Sequence, residues 1–472
     1  MKRAAVSKSS ASPGFLASAL SQQGTSLATA DIPTWLESRR QKHRFSIRRV
    51  PLAELASWSF ASESGNLVHE SGRFFSVEGL RVTTTYPTVS VYHQPIVNQP
   101  EIGILGILAK RFDGILHFLI QAKMEPGNVN LVQLSPTVQA TRSNYTKVHG
   151  GTEVRYLEYF ADRSRGSVLV DQLQSEQGSF FLRKRNRNMI VETTDDVPVH
   201  EDFSWLTLGQ IKRMLREPNL VNMDTRTVLS AIPLAGTEGE LAGLGAGEDF
   251  EARLLRSSLA RERGLHSNDE IMSWFTELKA TAEIRVQSLP LTGLPGWSRD
   301  DLSIHRHDRG YFEIIGIAVE ADSREVRGWS QPIVRPVSAG TTGFLVQQID
   351  GTLHFLVQAR MEPGIFDMFE MAPTVQHIPG SDLPDAPLLD VFASAPPQAV
   401  RYVAIQSEEG GRFFHYQNRN IVVELPADQR LAAPRGYVWM TLGQIHEFLR
   451  YNNYFNIEAR GLIACLGVTS AN

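Results

Sequence analysis

Asp113-Gly-Ile-Leu-His117-Phe-Leu-Ile-Gln121-Ala-Lys123-Met-Glu125-Pro-Gly127 returns later in the same chain as Asp350-Gly-Thr-Leu-His354-Phe-Leu-Val-Gln358-Ala-Arg360-Met-Glu362-Pro-Gly364. Twelve of the fifteen positions are identical, at an offset of 237. A match this long marks a duplicated domain, not a solenoid unit of roughly 20–50 residues. Working outward, Trp35, Pro51 and Trp58 match Trp274, Pro290 and Trp297. Pro136-Thr-Val-Gln139 matches Pro373-Thr-Val-Gln376, and Asn186-Arg-Asn188 matches Asn418-Arg-Asn420. Trp205 and Thr207-Leu-Gly-Gln-Ile211 match Trp439 and Thr441-Leu-Gly-Gln-Ile445, and Tyr156 reads as the twin of Tyr402. Every candidate site therefore has a counterpart, and a difference between counterparts indicates which copy does chemistry.

The repeats read as residues 31–232 and 267–472, each long enough for its own core. Residues 233–266 read as a linker with a Gly-rich segment and a helix, and the Ser- and Ala-rich residues 1–30 as a disordered tail. The balance of 47 basic and 51 acidic residues gives a formal charge of −4. Neither a basic domain nor an RNA-binding aromatic motif is present, so a nucleic-acid polymer is not an expected partner. No stretch is apolar enough to span a bilayer. The single cysteine, Cys465, follows an apolar run and reads as a buried thiol, in keeping with a reducing cytoplasm.

Locally, Ile115–Ala122 reads as a mostly buried strand ended by Met124-Glu-Pro-Gly127. Thr207 to Leu215 reads as a helix capped by Thr207, with Leu208, Ile211 and Leu215 on one side. Residues 251–263 and 269–278 also read as helical. The class is α+β, two mixed-sheet domains with helices packed on them.

Three constellations carry candidate chemistry. Gln121, Lys123 and Glu125 project to one side of a strand, which suits a polar ligand or, equally, an ion pair on a solvated face. Residues 139–151 bring together Gln139, Arg142, Asn144, Tyr145, Lys147 and His149 before a Gly-Gly. Tyrosine, lysine and histidine all move protons when suitably tuned. The second copy replaces this stretch with prolines, which favours the first copy as the reactive one. The third is Arg183-Lys-Arg185-Asn-Arg187-Asn188, a diphosphate clamp or a charged edge strand. Trp58 packs in a core or stacks on a base. No phosphate loop, dinucleotide fingerprint, nucleophile elbow or zinc motif occurs.

Gln121-Ala-Lys-Met-Glu-Pro-Gly127, Ser135-Pro-Thr-Val-Gln-Ala-Thr-Arg-Ser-Asn-Tyr145 and Lys184-Arg-Asn-Arg-Asn188 resemble the NDP-hexose 2,3-dehydratase family of deoxysugar biosynthesis. The resemblance implies a homodimer whose subunit holds two tandem Nudix-like domains, with one working pocket. It implies dTDP-4-keto-6-deoxyglucose as substrate, no cofactor or metal, and a downstream 3-ketoreductase that consumes the unstable diketo product. Expected roles are Glu125 or His149 as base, Tyr145 as acid, and Lys123 polarising the 4-ketone. Arg185 and Arg187 would bind the diphosphate. Gln121, Gln139 and Asn188 would orient the sugar, with Arg142, Asn144 and Trp58 as further binding groups. A Nudix-type diphosphatase and a non-catalytic NDP-sugar-binding protein are the alternatives. The Gly-x5-Glu-x7-Arg-Glu-x2-Glu-Glu metal pattern of Nudix hydrolases is absent from both copies.

Overall fold

The computed structural model describes residues 14–141, 154–233, 247–262, 264–324, 326–383 and 387–467. Among these, the strands form two seven-stranded mixed sheets and two five-stranded antiparallel sheets. The first large sheet runs Ser167–Ser175, Arg185–Glu192, Gly103–Phe112, Ile115–Met124 and Phe203–Thr207. Val132–Ser135 pairs onto Ile115–Met124, and Val138–Ala140 onto Gly103–Phe112. Only Arg185–Glu192 and Gly103–Phe112 run parallel in it. The second large sheet repeats the pattern, its parallel pair being Gln417–Leu425 with Gly340–Ile349. The architecture is mixed α+β with two sheet-rich halves. Among the described residues no helix is long and apolar enough to cross a membrane.

Alternation along Ile115–Met124 decides what each side chain meets. Leu116, Phe118, Ile120, Ala122 and Met124 pack into the main core. Leu119 faces the opposite way, into a smaller cluster, and Lys123 and Glu125 continue that face at the strand's end. The helix Leu208–Met214 is fixed by a capping box, with Thr207 accepting from the Gln210 amide and Gln210 accepting from the Thr207 amide. Thr441 and Gln444 repeat the box at Leu442–Leu449.

The tail expectation needs correction, while the helix expected within residues 233–266 is present at Phe250–Leu259. Phe15–Leu20 is a helix with Phe15, Leu16 and Ala19 buried in the first repeat. Ser18 Oγ donates to the Leu116 carbonyl at 2.5 Å and accepts from the Leu208 amide at 2.9 Å. Ser257, on the helix Phe250–Leu259, makes the same two bonds to Leu353 (2.6 Å) and Leu442 (2.9 Å). Each repeat thus opens with a helix upstream of residues 31 and 267. Residues 1–13 and the Gly-rich 234–246 lie outside the described residues. The pairing of Tyr156 with Tyr402 is also corrected. Tyr402 sits at a strand irregularity where the first repeat has Val170.

The repeats are not separate tandem bodies. Phe45–Val50, from the first repeat, pairs with Phe312–Ala321 of the second. Its twin Ile284–Leu289 pairs with Ser76–Thr84 of the first. The halves have exchanged an edge strand. A second crossing binds each Met-Glu-Pro-Gly turn to a loop of the other half. The Gly127 amide donates to the Gly410 carbonyl at 2.7 Å, and the Gly364 amide to Gly178 at 2.8 Å. A Cβ on Gly127 would lie 1.6 Å from the Phe413 carbonyl oxygen, and one on Gly364 1.7 Å from that of Phe181. Only glycine permits this approach. Arg226 and Arg460, both buried, reach across to the Ser407 and Ser175 carbonyls of the opposite half.

Two outcomes follow from the interlock. Urea unfolding monitored by tryptophan fluorescence and by far-ultraviolet circular dichroism is expected to give one coincident transition, and two resolved transitions would show independent halves. Gly364→Ala, on the turn of the second repeat, is expected to destabilise by about 1–3 kcal/mol or more by overpacking, read as a lower urea midpoint.

Candidate active site

The Lys123–Glu125 end of the strand opens into a cavity of about 640 Å³, within the roughly 300–1,000 Å³ of small-molecule sites. The first repeat supplies Lys123, Glu125, Gln139, Glu176, Lys184, Asn186 and Asp224. Across from them the second repeat supplies Arg324, Trp329, Glu409 and Arg412. Trp58, Phe74 and Phe75 make an aromatic end wall. The strand exchange and the crossed loops are what bring the second set here.

Lys123 Nζ lies 3.2 Å from Glu125 Oε1, and Gln139 Nε2 donates to the same oxygen at 2.9 Å. Glu125 is 2% exposed, and its Oε2 has no hydrogen-bond partner among the described residues. Asn186 Nδ2 donates to Glu176 Oε1 at 2.7 Å, while its Oδ1 accepts from the Gly103 amide at 3.0 Å. Arg412 Nε donates to Gln99 Oε1 at 3.2 Å, and the guanidinium lies 4.4 Å over the Phe75 ring. Lys184 Nζ donates to the Glu101 carbonyl.

Burial and charge push these groups in opposite directions. Burial would raise Glu125, but Lys123, Arg324 and Gln139 together hold its carboxyl below the usual range. Burial raises Glu409 to about 7, assisted by the negative charge of Glu125. Burial likewise raises Glu176, and raises Asp224 well above an ordinary carboxyl. It lowers Lys184 to about 8. A carboxylate held low by cations and carboxyls raised by burial thus share one cavity, which is the equipment of general acid–base catalysis. Among the described residues no three His, Cys, Asp or Glu side chains are grouped to hold a metal ion.

The second repeat keeps the polar triad. Arg360 Nε is 3.2 Å from Glu362 Oε1, and Gln376 Nε2 donates to that oxygen at 2.9 Å. Ser179 of the first repeat adds a third bond at 2.8 Å. The surrounding space is taken by side chains. Tyr416 stands where the first repeat has Lys184, Tyr311 where it has Phe74, and Ile378 where it has Thr141. All three pack with Phe180 and Phe413 in one hydrophobic cluster.

The family model described as NDP-hexose 2,3-dehydratase matches residues 29–232 and 268–466. The chain belongs to the NDP-hexose 2,3-dehydratase family. It is 48% identical to a dTDP-4-dehydro-6-deoxy-alpha-D-glucopyranose 2,3-dehydratase of Saccharopolyspora spinosa, over 96% of this chain and 94% of the relative. A protein of the same name from Amycolatopsis orientalis is 46% identical over 96% and 93%. Among solved structures, a C. elegans Ap4A hydrolase matches 25% of this chain and 88% of its own, at 14% identity and a TM-score of 0.17. That likeness is too slight to support an argument.

Of the residues read from the sequence of this dehydratase-family chain, Lys123, Glu125, Gln139 and Trp58 meet in the cavity. Trp58 also donates from Nε1 to the Ser330 carbonyl at 3.0 Å. Gln121, two residues before Lys123, is not in the cavity lining. The expected clamp is misplaced by one residue. Arg185 lies 4.0 Å over the Phe366 ring, and Arg187 forks onto Asp171 at 2.7 and 2.6 Å. Successive side chains on a strand face opposite ways, so the cavity receives Lys184 and Asn186 instead. Asn188 shares their side but is buried against Thr227, with Nδ2 donating to Oγ1 at 3.2 Å. Arg142, Asn144, Tyr145 and His149 lie outside the described residues. Glu409 and Arg412, from the second repeat, are additional cavity residues whose sequence signal is their departure from the matching first-repeat positions, Gln177 and Phe180.

The Lys123–Glu125 pair has a measurable signature. Lys123→Met leaves a buried carboxylate without its nearest cation, and is expected to cost about 3–5 kcal/mol at neutral pH. The folded-state pKa of Glu125 is depressed, so the pairing contributes above the unfolded-state pKa and fades as pH falls through the folded one. In the variant burial is no longer opposed by Lys123 and raises Glu125, so the stability gap narrows as pH falls through that raised value and closes below the depressed wild-type one; it is expected to be larger at pH 7.5 than at pH 4.5 in urea titrations. An equal gap at both values would contradict the pairing.

Proposed function

We propose that this chain is a hydro-lyase acting on dTDP-4-keto-6-deoxy-D-glucose, and that the first repeat's cavity is its working site. The observation that carries this reading is close kinship with dehydratases of that name over nearly the whole chain. The cavity's chemistry supports it independently. The 4-ketone acidifies the C-3 proton, which Glu125 takes through its unpaired oxygen. Lys123 lies beside Glu125 and stabilises the charge that develops on the ketone oxygen. The C-2 hydroxyl leaves as water, and the resulting enol tautomerises to the 3,4-diketo-2,6-dideoxy sugar. None of these steps changes the redox state of the enzyme. The filled second pocket is a remnant.

Lys184, Arg324 and Arg412 suit the diphosphate, taking the place expected for Arg185 and Arg187. The aromatic wall of Trp58, Phe74 and Phe75 suits thymine. The mixed sheets with one parallel pair and flanking helices support a Nudix-like reading of each half. A homodimer, a cytoplasmic setting and a 3-ketoreductase that consumes the labile diketone complete the reading.

Incubation with dTDP-4-keto-6-deoxyglucose, followed by ketoreductase and NADPH trapping, is expected to show loss of one water by mass spectrometry. Release of dTMP would favour the diphosphatase alternative, and an intact sugar the binding-protein alternative. Lys184→Ala is expected to weaken dTDP binding by about tenfold or more, whereas Arg187→Ala stays within about twofold in calorimetric titration. The reverse order would restore the original clamp.

A further inference from the structure

Water loss needs an acid as well as a base, and the cavity holds several carboxyl groups besides Glu125. The duplication separates them. Glu176 is matched by Glu408, and each accepts from the equivalent asparagine at 2.7 Å. Asp224 is matched by Glu458, and burial raises both well above an ordinary carboxyl. Since the second pocket is filled with side chains yet retains these acids, they answer a need of the fold that both halves share. Glu409 is different. Its counterpart on the loop that crosses the filled pocket is Gln177, which donates to Glu408 Oε2 at 2.9 Å and carries no titratable proton.

The rest of that loop changes in the same sense. Where Ser179 donates to Glu362, Gly411 has no side chain to donate to Glu125. Where Phe180 packs into the aromatic cluster, Arg412 turns a cation toward the cavity. The crossing loop is therefore a plug over one pocket and a reactive wall over the other. Its backbone is pinned against the base, because the Gly127 amide donates to Gly410 and a Cβ on Gly410 would lie 2.9 Å from Glu125 Cβ.

We infer that Glu409, carried by the second repeat, is the catalytic acid that protonates the departing C-2 hydroxyl in the first repeat's cavity. This takes over the role that the sequence reading gave to Tyr145, and it rests on the elimination chemistry proposed above. As the C-3–H bond breaks, its proton goes to Glu125 and its electron pair is held on the C-4 ketone oxygen as an enolate beside Lys123. When the enolate collapses, that pair becomes the C-2–C-3 double bond, the C-2–O bond breaks, and the electron pair of the departing oxygen takes the Glu409 proton to form water. Glu125 ends protonated and Glu409 ionised, and one proton returns between them, through solvent, before the next turnover. No oxidant or reductant takes part. The groups around Glu409 are Glu125 and Lys123 on the first-repeat strand, Glu176 and Lys184 beside it, Asp224 on the helix Met223–Leu229, and Arg412 on its own loop. Burial, aided by Glu125 and Glu176, sets its titration at about 7. The acid works while protonated, so water loss should be level below about 7 and fall tenfold per pH unit above it.

The test uses the full chain and dTDP-4-keto-6-deoxyglucose in deuterium oxide, with C-3 exchange and water loss both followed by mass spectrometry. Glu409→Gln is expected to keep C-3 exchange while losing water about 10²–10⁴-fold more slowly. Glu409→Asp is expected to recover part of the rate, and the alkaline limb near 7 to vanish in Glu409→Gln. Glu125→Gln is expected to lose both steps. Water loss by Glu409→Gln within about threefold of wild type would overturn the assignment, as would equal loss of exchange and elimination. Tyr145→Phe abolishing water loss while Glu409→Gln retains it would return the role to Tyr145. A wild-type protein that neither exchanges nor dehydrates would instead overturn the dehydratase reading itself.

Discussion

The hydrogen bond from the Gly127 amide to the Gly410 carbonyl, 2.7 Å long, ties the Lys123–Glu125 strand end of one half to a loop of the other. It lies beside Glu125, and it is possible only because residue 127 has no Cβ. Its twin joins Gly364 to Gly178. Together with the exchanged strands Phe45–Val50 and Ile284–Leu289, these bonds make each pocket a composite. The floor comes from one repeat and the cover from the other. Neither repeat alone would bring Glu409 and Arg412 to the Lys123–Glu125 pair.

A composite pocket explains how duplication produced asymmetry without two different folds. Both halves keep the cation–carboxylate–amide triad, Lys123–Glu125–Gln139 and Arg360–Glu362–Gln376. A buried carboxylate is tolerable only when paired and hydrogen-bonded, so the triad is preserved wherever the strand end is buried. What diverged is the volume around it. Tyr416, Tyr311 and Ile378 fill the second pocket with buried apolar surface, a gain in stability once no ligand has to enter. Lys184, Phe74 and Thr141 leave the first pocket open. The open half carries one further buried cation, Lys184 in the place of Tyr416, at a cost in desolvation.

The repeat, the strand Ile115–Met124 and the capped helix at Thr207 were legible because each rests on local pattern: identity, alternation, and a cap with its third residue. The strand exchange was not legible, for a definite reason. Phe45–Val50 and Ile284–Leu289 are twins, and so are their partner strands, so pairing within a half and pairing across halves present the same side-chain pattern. The helix Phe15–Leu20 is only six residues long and reads as part of a Ser- and Ala-rich head. Its burial depends on Ser18 satisfying both Leu116 and Leu208, a long-range fact. The clamp failed on parity. Arg183 to Asn188 is basic throughout, so composition alone does not say that Lys184 rather than Arg185 turns inward.

The same parity and crossing also limit what a residue's presence in both copies means. A group kept in both the open and the filled pocket is accounted for by burial alone, however suited to chemistry it looks. Glu125 passes that test only through its surroundings: its partner Glu362 receives a third hydrogen bond from Ser179, and Gly411 withholds the equivalent from Glu125. One missing hydroxyl, contributed by the opposite repeat, leaves Glu125 with one hydrogen bond fewer than Glu362 and leaves space beside it. The reactivity of the first half is thus written partly in the second, which is why neither copy read by itself accounts for it.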